Sequence, residues 1–251
     1  MTPTGWLYRN HLRLALHQSG QGPTVVFQHG LCGDASQTAE ASPPGFRRLT
    51  LECRGHGASD EAQTYAIATF ADDITALIEN IGHPVILGGI SMGAAIATRI
   101  AVRKPHLVKA LALIRPAWIT DAAPPNLAPC AEVGRLIAAG QPPEAFTTET
   151  SPDNHASLIG FFTRPQPSTA TLLTQIAADG PGITEPDLAA LKIPTIVLGT
   201  AEDVIHPLAL ARRLSHLIPG AQFTELPPKG RDKPAHIAAL QATLTQFLKG
   251  A

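Results

Sequence analysis

Cysteine is scarce. Three in 251 residues, Cys32, Cys53 and Cys130, make an odd count with no metal-type spacing, which excludes a disulfide framework or a cysteine-built metal site. Aromatic residues are only 5% of the chain, which argues against a large aromatic-lined tunnel. Neither sign of charge is in excess. Nineteen Lys and Arg stand against 20 Asp and Glu, the net charge is −1, and the basic residues are scattered, so no nucleic-acid or polyanion partner is expected. Long hydrophobic runs are lacking as well. Nothing approaches the roughly 18 apolar residues of a membrane span, and the first 20 residues hold no apolar core of signal-peptide length. The expectation is a soluble, cytoplasmic protein with no membrane partner. No internal repeat is present, and nothing in the sequence fixes an oligomeric state.

What is there reads as a globular α/β chain: 44% hydrophobic and 16% charged, long enough for one large domain with a substantial core. Short apolar segments predict strands at 11–18, 24–28, 47–53, 84–90, 107–114, 194–200 and 221–226. Helical spacing falls at 70–81, where Ile74, Leu77, Ile78 and Ile81 share a face, and at 92–104, 208–218 and 235–248. Strands alternating with helices predict a mostly parallel, doubly wound sheet. Residues 116–190 break the rhythm. They hold 11 of the 23 prolines and no strong strand, with short helices expected near 131–139 and 169–178. The expected organisation is a core of 1–115 and 191–251 with a helical lid at 116–190.

The sharpest chemical signal is "GGISMG" at 88–93, a Gly89-x-Ser91-x-Gly93 string between a buried strand and a helix. A serine there leaves the strand through a sharp, strained turn and sits at a helix N-terminus, where amide dipoles favour developing negative charge.

With "QHGLCGD" (28–34), "ECRGHGASD" (52–60), "GGISMGAA" (88–95) and "GTAEDVIHP" (199–207) in this order, the chain resembles the α/β-hydrolase fold family over nearly its whole length. The resemblance implies a lid inserted after the sixth strand, Ser91 as nucleophile, and the backbone amides of Leu31 and Met92 as the oxyanion hole. It implies Asp203 as the acid, with Glu202 its solvated neighbour, and no metal or organic cofactor. His29, Arg54 and His56 are expected to stabilise turns, with a direct substrate role the lesser reading for Arg54 and His56. Glu52 stands where the family usually has aspartate. Cys32 is expected to pack near the pocket.

The base is less regular. The family's histidine usually follows the last strand closely, and that slot, 229–232, reads "KGRD". His236, displaced into the first turn of the final helix, is the expected base. His206 is the rival and a candidate substrate-binding residue, three residues after Asp203 and so expected to lie too close for the usual acid–histidine geometry; a site without a standard histidine is the third reading. His216 lies within a helix and is set aside. Arg115, at the end of the strand 107–114, is expected either to bind a substrate carboxylate or to pair with a lid carboxylate such as Asp121.

The resulting expectation is a serine hydrolase of the esterase or lactonase kind. It would cleave an ester or lactone of a small molecule, with a carbon–carbon bond as a variant, through an acyl-enzyme on Ser91. The alternatives are a catalytically altered protein of the same fold, acting as a small-ligand receptor or lyase, and an acyltransferase.

Overall fold

The computed structural model describes residues 1–250. Eight strands form one sheet: β1 (Gly5–Arg9), β2 (Leu12–Ser19), β3 (Thr24–Gln28), β4 (Arg47–Leu51), β5 (Val85–Ile90), β6 (Val108–Ile114), β7 (Thr195–Thr200) and β8 (Gln222–Leu226). Nine α-helices accompany them: α1 (Ala35–Ala41), α2 (Ile67–Ile81), α3 (Met92–Arg103), α4 (Ala128–Ala138), α5 (Pro152–Gly160), α6 (Thr169–Ala178), α7 (Glu185–Ala189), α8 (Leu208–Leu217) and α9 (Lys233–Lys249). The strand order is β1-β2-β4-β3-β5-β6-β7-β8. Pairs β1–β2 and β2–β4 are antiparallel and the rest parallel, so the expected mostly parallel sheet is present.

The central strands are buried on both faces, apart from the exposed Lys109 near the start of β6, as their apolar runs require. On one face Phe27, Ile86, Ala112 and Leu198 pack with Leu240, Leu244 and Phe247 of α9. On the other, Val26, Leu87, Leu111 and Val197 meet Ile74 of α2, Ile96 of α3 and Leu214 of α8. The chain runs from β3 to β4 on one side and from β5 to β6 on the other. Beyond the carboxyl ends of β3 and β5 the connections therefore diverge, and a crevice opens between them.

Residues 116–190 lie between β6 and β7 and carry α4 to α7. Leu127, Val133, Leu158, Leu172 and Leu173 of this insert join the core on the α2/α3 side. The insert also completes a core helix. α2 begins at Ile67 because the Asp179 carboxylate accepts the Ile67 amide at 2.7 Å, a cap supplied from 112 residues away that local sequence could not reveal. Among the described residues no helix is long and apolar enough to cross a membrane.

Candidate active site

The turn after β5 is built for a small-residue sequence. Ser91 has φ 56° and ψ −113°, a conformation that costs a non-glycine residue on the order of 1–3 kcal/mol. It is held by the Ser91 amide donating to the Ile114 carbonyl at 2.9 Å. A Cβ on Gly89 would lie 2.1 Å from the Gly93 carbonyl carbon, and one on Gly93 would lie 2.4 Å from the Gln28 oxygen. Both glycines are needed for α3 to start directly beneath the strand end and aim its N-terminus at the crevice.

The facing turn, 29–33, ties up most of its own amides. Gly30 donates to Gln37 Oε1 at 2.6 Å, Cys32 to His56 Nε2 at 3.0 Å, and Gly33 to the Gly30 carbonyl at 3.0 Å. The Leu31 amide has no protein acceptor, and neither does that of Met92 at the first position of α3. Two amides near Ser91 thus lack a protein acceptor among the described residues. His29 and His56 serve as scaffolding. His29 accepts the Cys53 amide on Nε2 and donates Nδ1–H to the Gly30 carbonyl. Burial holds both imidazoles below their ordinary pKa, so they stay neutral. Arg54 is engaged by Asp73 through two hydrogen bonds, 2.9 and 2.8 Å, and Glu52 accepts the Ala35 and Ala58 amides; both shape the fold around the site. Cys32 lines the cavity, and burial pushes its thiol up to about 11.

His206, not His236, stands on Ser91. Its Nε2 is 2.8 Å from Ser91 Oγ, and its Nδ1 is 3.0 and 2.9 Å from Asp203 Oδ1 and Oδ2. The three-residue spacing closes because Asp203 Oδ1 also accepts the His206 amide at 3.0 Å. The carboxylate folds forward over its own loop and meets the ring there, so nearness in sequence is what makes the contact. Nδ1–H on the carboxylate leaves the Nε2 lone pair for the serine hydroxyl. Burial pulls the His206 pKa down; Asp203 opposes this and Arg115 reinforces it, with a net lowering. Burial alone would raise the Asp203 carboxyl, but His206 and Arg115 more than offset it and hold the group well below the usual carboxylate range.

His236 does sit in the first turn of α9, which Asp232 caps by accepting the Ala235 amide at 2.9 Å. Side chains on a helix tilt toward its N-terminus. The ring is thereby directed back to the Pro227 carbonyl, to which Nδ1 donates at 2.8 Å, and it is buried and absent from the cavity wall. Arg115 departs from the expected pairing with a lid carboxylate. It pairs with Asp203, Nε at 3.0 Å and Nη2 at 2.5 Å from Oδ2, rather than with Asp121, while still lining the cavity. Its Nη2 also lies 3.2 Å from His206 Nδ1. Glu202 pairs with Arg231 at the surface.

Two site residues carried no sequence signal. Asn154, buried on α5 of the insert, donates Nδ2 to Asp203 Oδ1 at 3.0 Å and accepts the Val204 amide on Oδ1 at 2.8 Å. Lys229, in the slot where a histidine was sought, lines the cavity and reaches Asp153 at 3.3 Å. The cavity measures about 400 Å³. Leu31, Ser91 and His206 of the core and Trp118, Leu158 and Phe161 of the insert contribute to its wall.

A mostly parallel sheet with a strained serine between strand and helix, at the crevice where the connections diverge, defines a class of α/β enzymes. The chain belongs to the alpha/beta hydrolase fold family, whose model matches residues 23–158. BpoC of Mycobacterium tuberculosis is 29% identical over 238 residues, covering 87% of this chain and 90% of that protein. Among solved structures, the alpha/beta hydrolase MGS-M2 from a Medee basin deep-sea metagenome library superposes with a TM-score of 0.80 at 17% identity, over 98% of this chain and 97% of that one. The enol-lactonase from Burkholderia xenovorans LB400 does so at 0.72 and 22% identity, over 98% and 100%. At these identities the two structures establish the shared fold.

Proposed function

We propose that the protein is a serine hydrolase cleaving a carboxylic ester or lactone of a small molecule, with Ser91, His206 and Asp203 as its triad. The observation that carries this reading is the Ser91 Oγ–His206 Nε2 distance of 2.8 Å together with the Nδ1–carboxylate contacts behind it. His206 Nε2 takes the hydroxyl proton as Oγ attacks the carbonyl carbon. The Leu31 and Met92 amides receive the negative oxygen, each worth about 3 kcal/mol in the transition state. The imidazolium then returns the proton to the leaving alkoxide, and water, deprotonated by the same nitrogen, releases the acid. Asp203 fixes the ring's tautomer and stabilises its charge. Residues 116–190 act as the lid, closing the cavity over Ser91, and a volume of about 400 Å³ suits a small ester or lactone. The histidine absent from 229–232 favours a receptor reading, whereas His206 Nε2 at 2.8 Å from Ser91 Oγ favours the hydrolase.

The test is turnover of short-chain p-nitrophenyl esters. Ser91→Ala and His206→Ala should each lower kcat by at least about 10²-fold, and His236→Ala by far less. Near wild-type turnover by His206→Ala, with loss in His236→Ala, would overturn the assignment.

A further inference from the structure

The cavity wall carries three basic side chains, Arg115, Arg164 and Lys229, and no carboxylate. Two are answered from behind the wall, Arg115 by Asp203 and Lys229 by Asp153. Arg164 has no acidic partner among the described residues. Its Nη2 donates to the Gly55 carbonyl at 3.1 Å and its Nη1 to Thr169 Oγ1 at 3.2 Å, both neutral acceptors. These bonds fix the half-buried guanidinium while leaving its charge unneutralised and Nε without a protein acceptor. It stands beside the 29–33 turn: burial dominates the shifts of His29, His56 and Cys32, and the Arg164 charge acts on all three.

A half-buried, anchored cation facing a cavity with no acidic group has its electrostatic complement missing, and a ligand can supply it. We propose that the cavity selects substrates bearing an ionised carboxylate away from the scissile bond, with Arg164 as the residue that pairs with it. A guanidinium offers parallel N–H donors matching the two oxygens of a carboxylate, which a lysine in its place would not. As to turnover this rests on the hydrolase reading; as to binding it does not.

The experiment uses two matched pairs. p-Nitrophenyl butyrate against mono-p-nitrophenyl glutarate puts the anion on the acyl side, and phenyl acetate against 4-acetoxybenzoate puts it on the alcohol side. In one pair Arg164→Gln should lower the anionic-to-neutral ratio of kcat/KM by about tenfold or more, chiefly through KM. Arg164→Lys, which keeps the charge without the fork, should lose part of that ratio and serves alone if the glutamine variant does not fold. A ratio unmoved in both pairs overturns the proposal. If the wild type turns over none of the four esters, the hydrolase reading fails, and calorimetry decides the binding question. Monomethyl glutarate should then bind wild type at least about tenfold more tightly than methyl butyrate does, and Arg164→Gln should abolish that margin; equal binding of both, or a margin kept in the variant, overturns the proposal.

Discussion

Asn154 joins the insert to the acid loop, and replacing it by aspartate tests that joint with almost no change of shape. Oδ1 can go on accepting from Val204 N and Ser151 Oγ, both at 2.8 Å. The donor 3.0 Å from Asp203 Oδ1, however, becomes an oxygen. One hydrogen bond to a charged group is lost, about 1.5–3 kcal/mol. If both carboxylates ionise, unit charges some 4 Å apart at an effective dielectric near 20 repel by about 4 kcal/mol. A proton shared between the oxygens relieves that repulsion, so the introduced carboxyl has a folded-state pKa raised above its unfolded one. The sign follows. Below the unfolded pKa the relief is fully present and Asn154→Asp lies close to wild type. As pH rises through the raised folded pKa the proton leaves, and stability falls. Denaturant midpoints measured from pH 4 to pH 9 should therefore diverge from wild type with rising pH, reaching a deficit of about 5–7 kcal/mol. Asn154→Ala is the control. It loses the same bond and leaves the Val204 amide without its partner, but Val204 is 42% exposed and water can reach the loop, so its cost should be about 2–3 kcal/mol and nearly independent of pH. An Asn154→Asp protein whose deficit does not change with pH would refute the contact with Asp203.

Two other outcomes are expected. In the proposed triad His206 acts while neutral, and its pKa is held down by burial with Arg115 adding to the effect, so the acid limb of kcat/KM should fall below the ordinary histidine range, and Arg115→Gln should move that limb to higher pH; an unmoved limb would separate Arg115 from the proposed base. With the Cys32 thiol pushed up to about 11, about one molecule in a thousand carries the thiolate at pH 8, so iodoacetamide should label Cys32 far more slowly than free cysteine, as read by mass spectrometry.

The parts of this fold legible from sequence are those governed by local rules. Apolar runs at 84–90 and 107–114 fall on β5 and β6, and the G-x-S-x-G string falls at the strand–helix turn, because steric demands act over a few residues. β1 is not legible because Trp6 and Tyr8 face solvent on an edge strand, leaving half-buried alternation in place of an apolar run. α1 and α5 are short and polar and depend on tertiary contacts. The histidine beside Ser91 is hidden in the sequence for a different reason. Counting from the last strand finds "KGRD", whereas what decides the outcome is whether the Asp203 side chain turns forward over its loop. That depends on Arg115, Asn154 and the His206 amide acting together on one carboxylate.

This convergence has a consequence for how the site holds its shape. A base supplied by the loop after the last strand would be positioned by one loop and its acid by another, and the two could drift apart. Here Asp203 and His206 are three residues apart, so their separation is set by a single turn. What must be held is that turn's position relative to Ser91. Arg115, at the end of β6, fixes it from the core, and Asn154 fixes it from the insert. Asp153, the residue before Asn154, binds Lys229, so the 229–232 loop acts on the same helix end without supplying a base. Docking of the insert and orientation of Asp203 are therefore one structural event, and a perturbation that lifts α5 away should disorder Asp203 before it alters Ser91, whose strained turn rests on β6, Gly89 and Gly93.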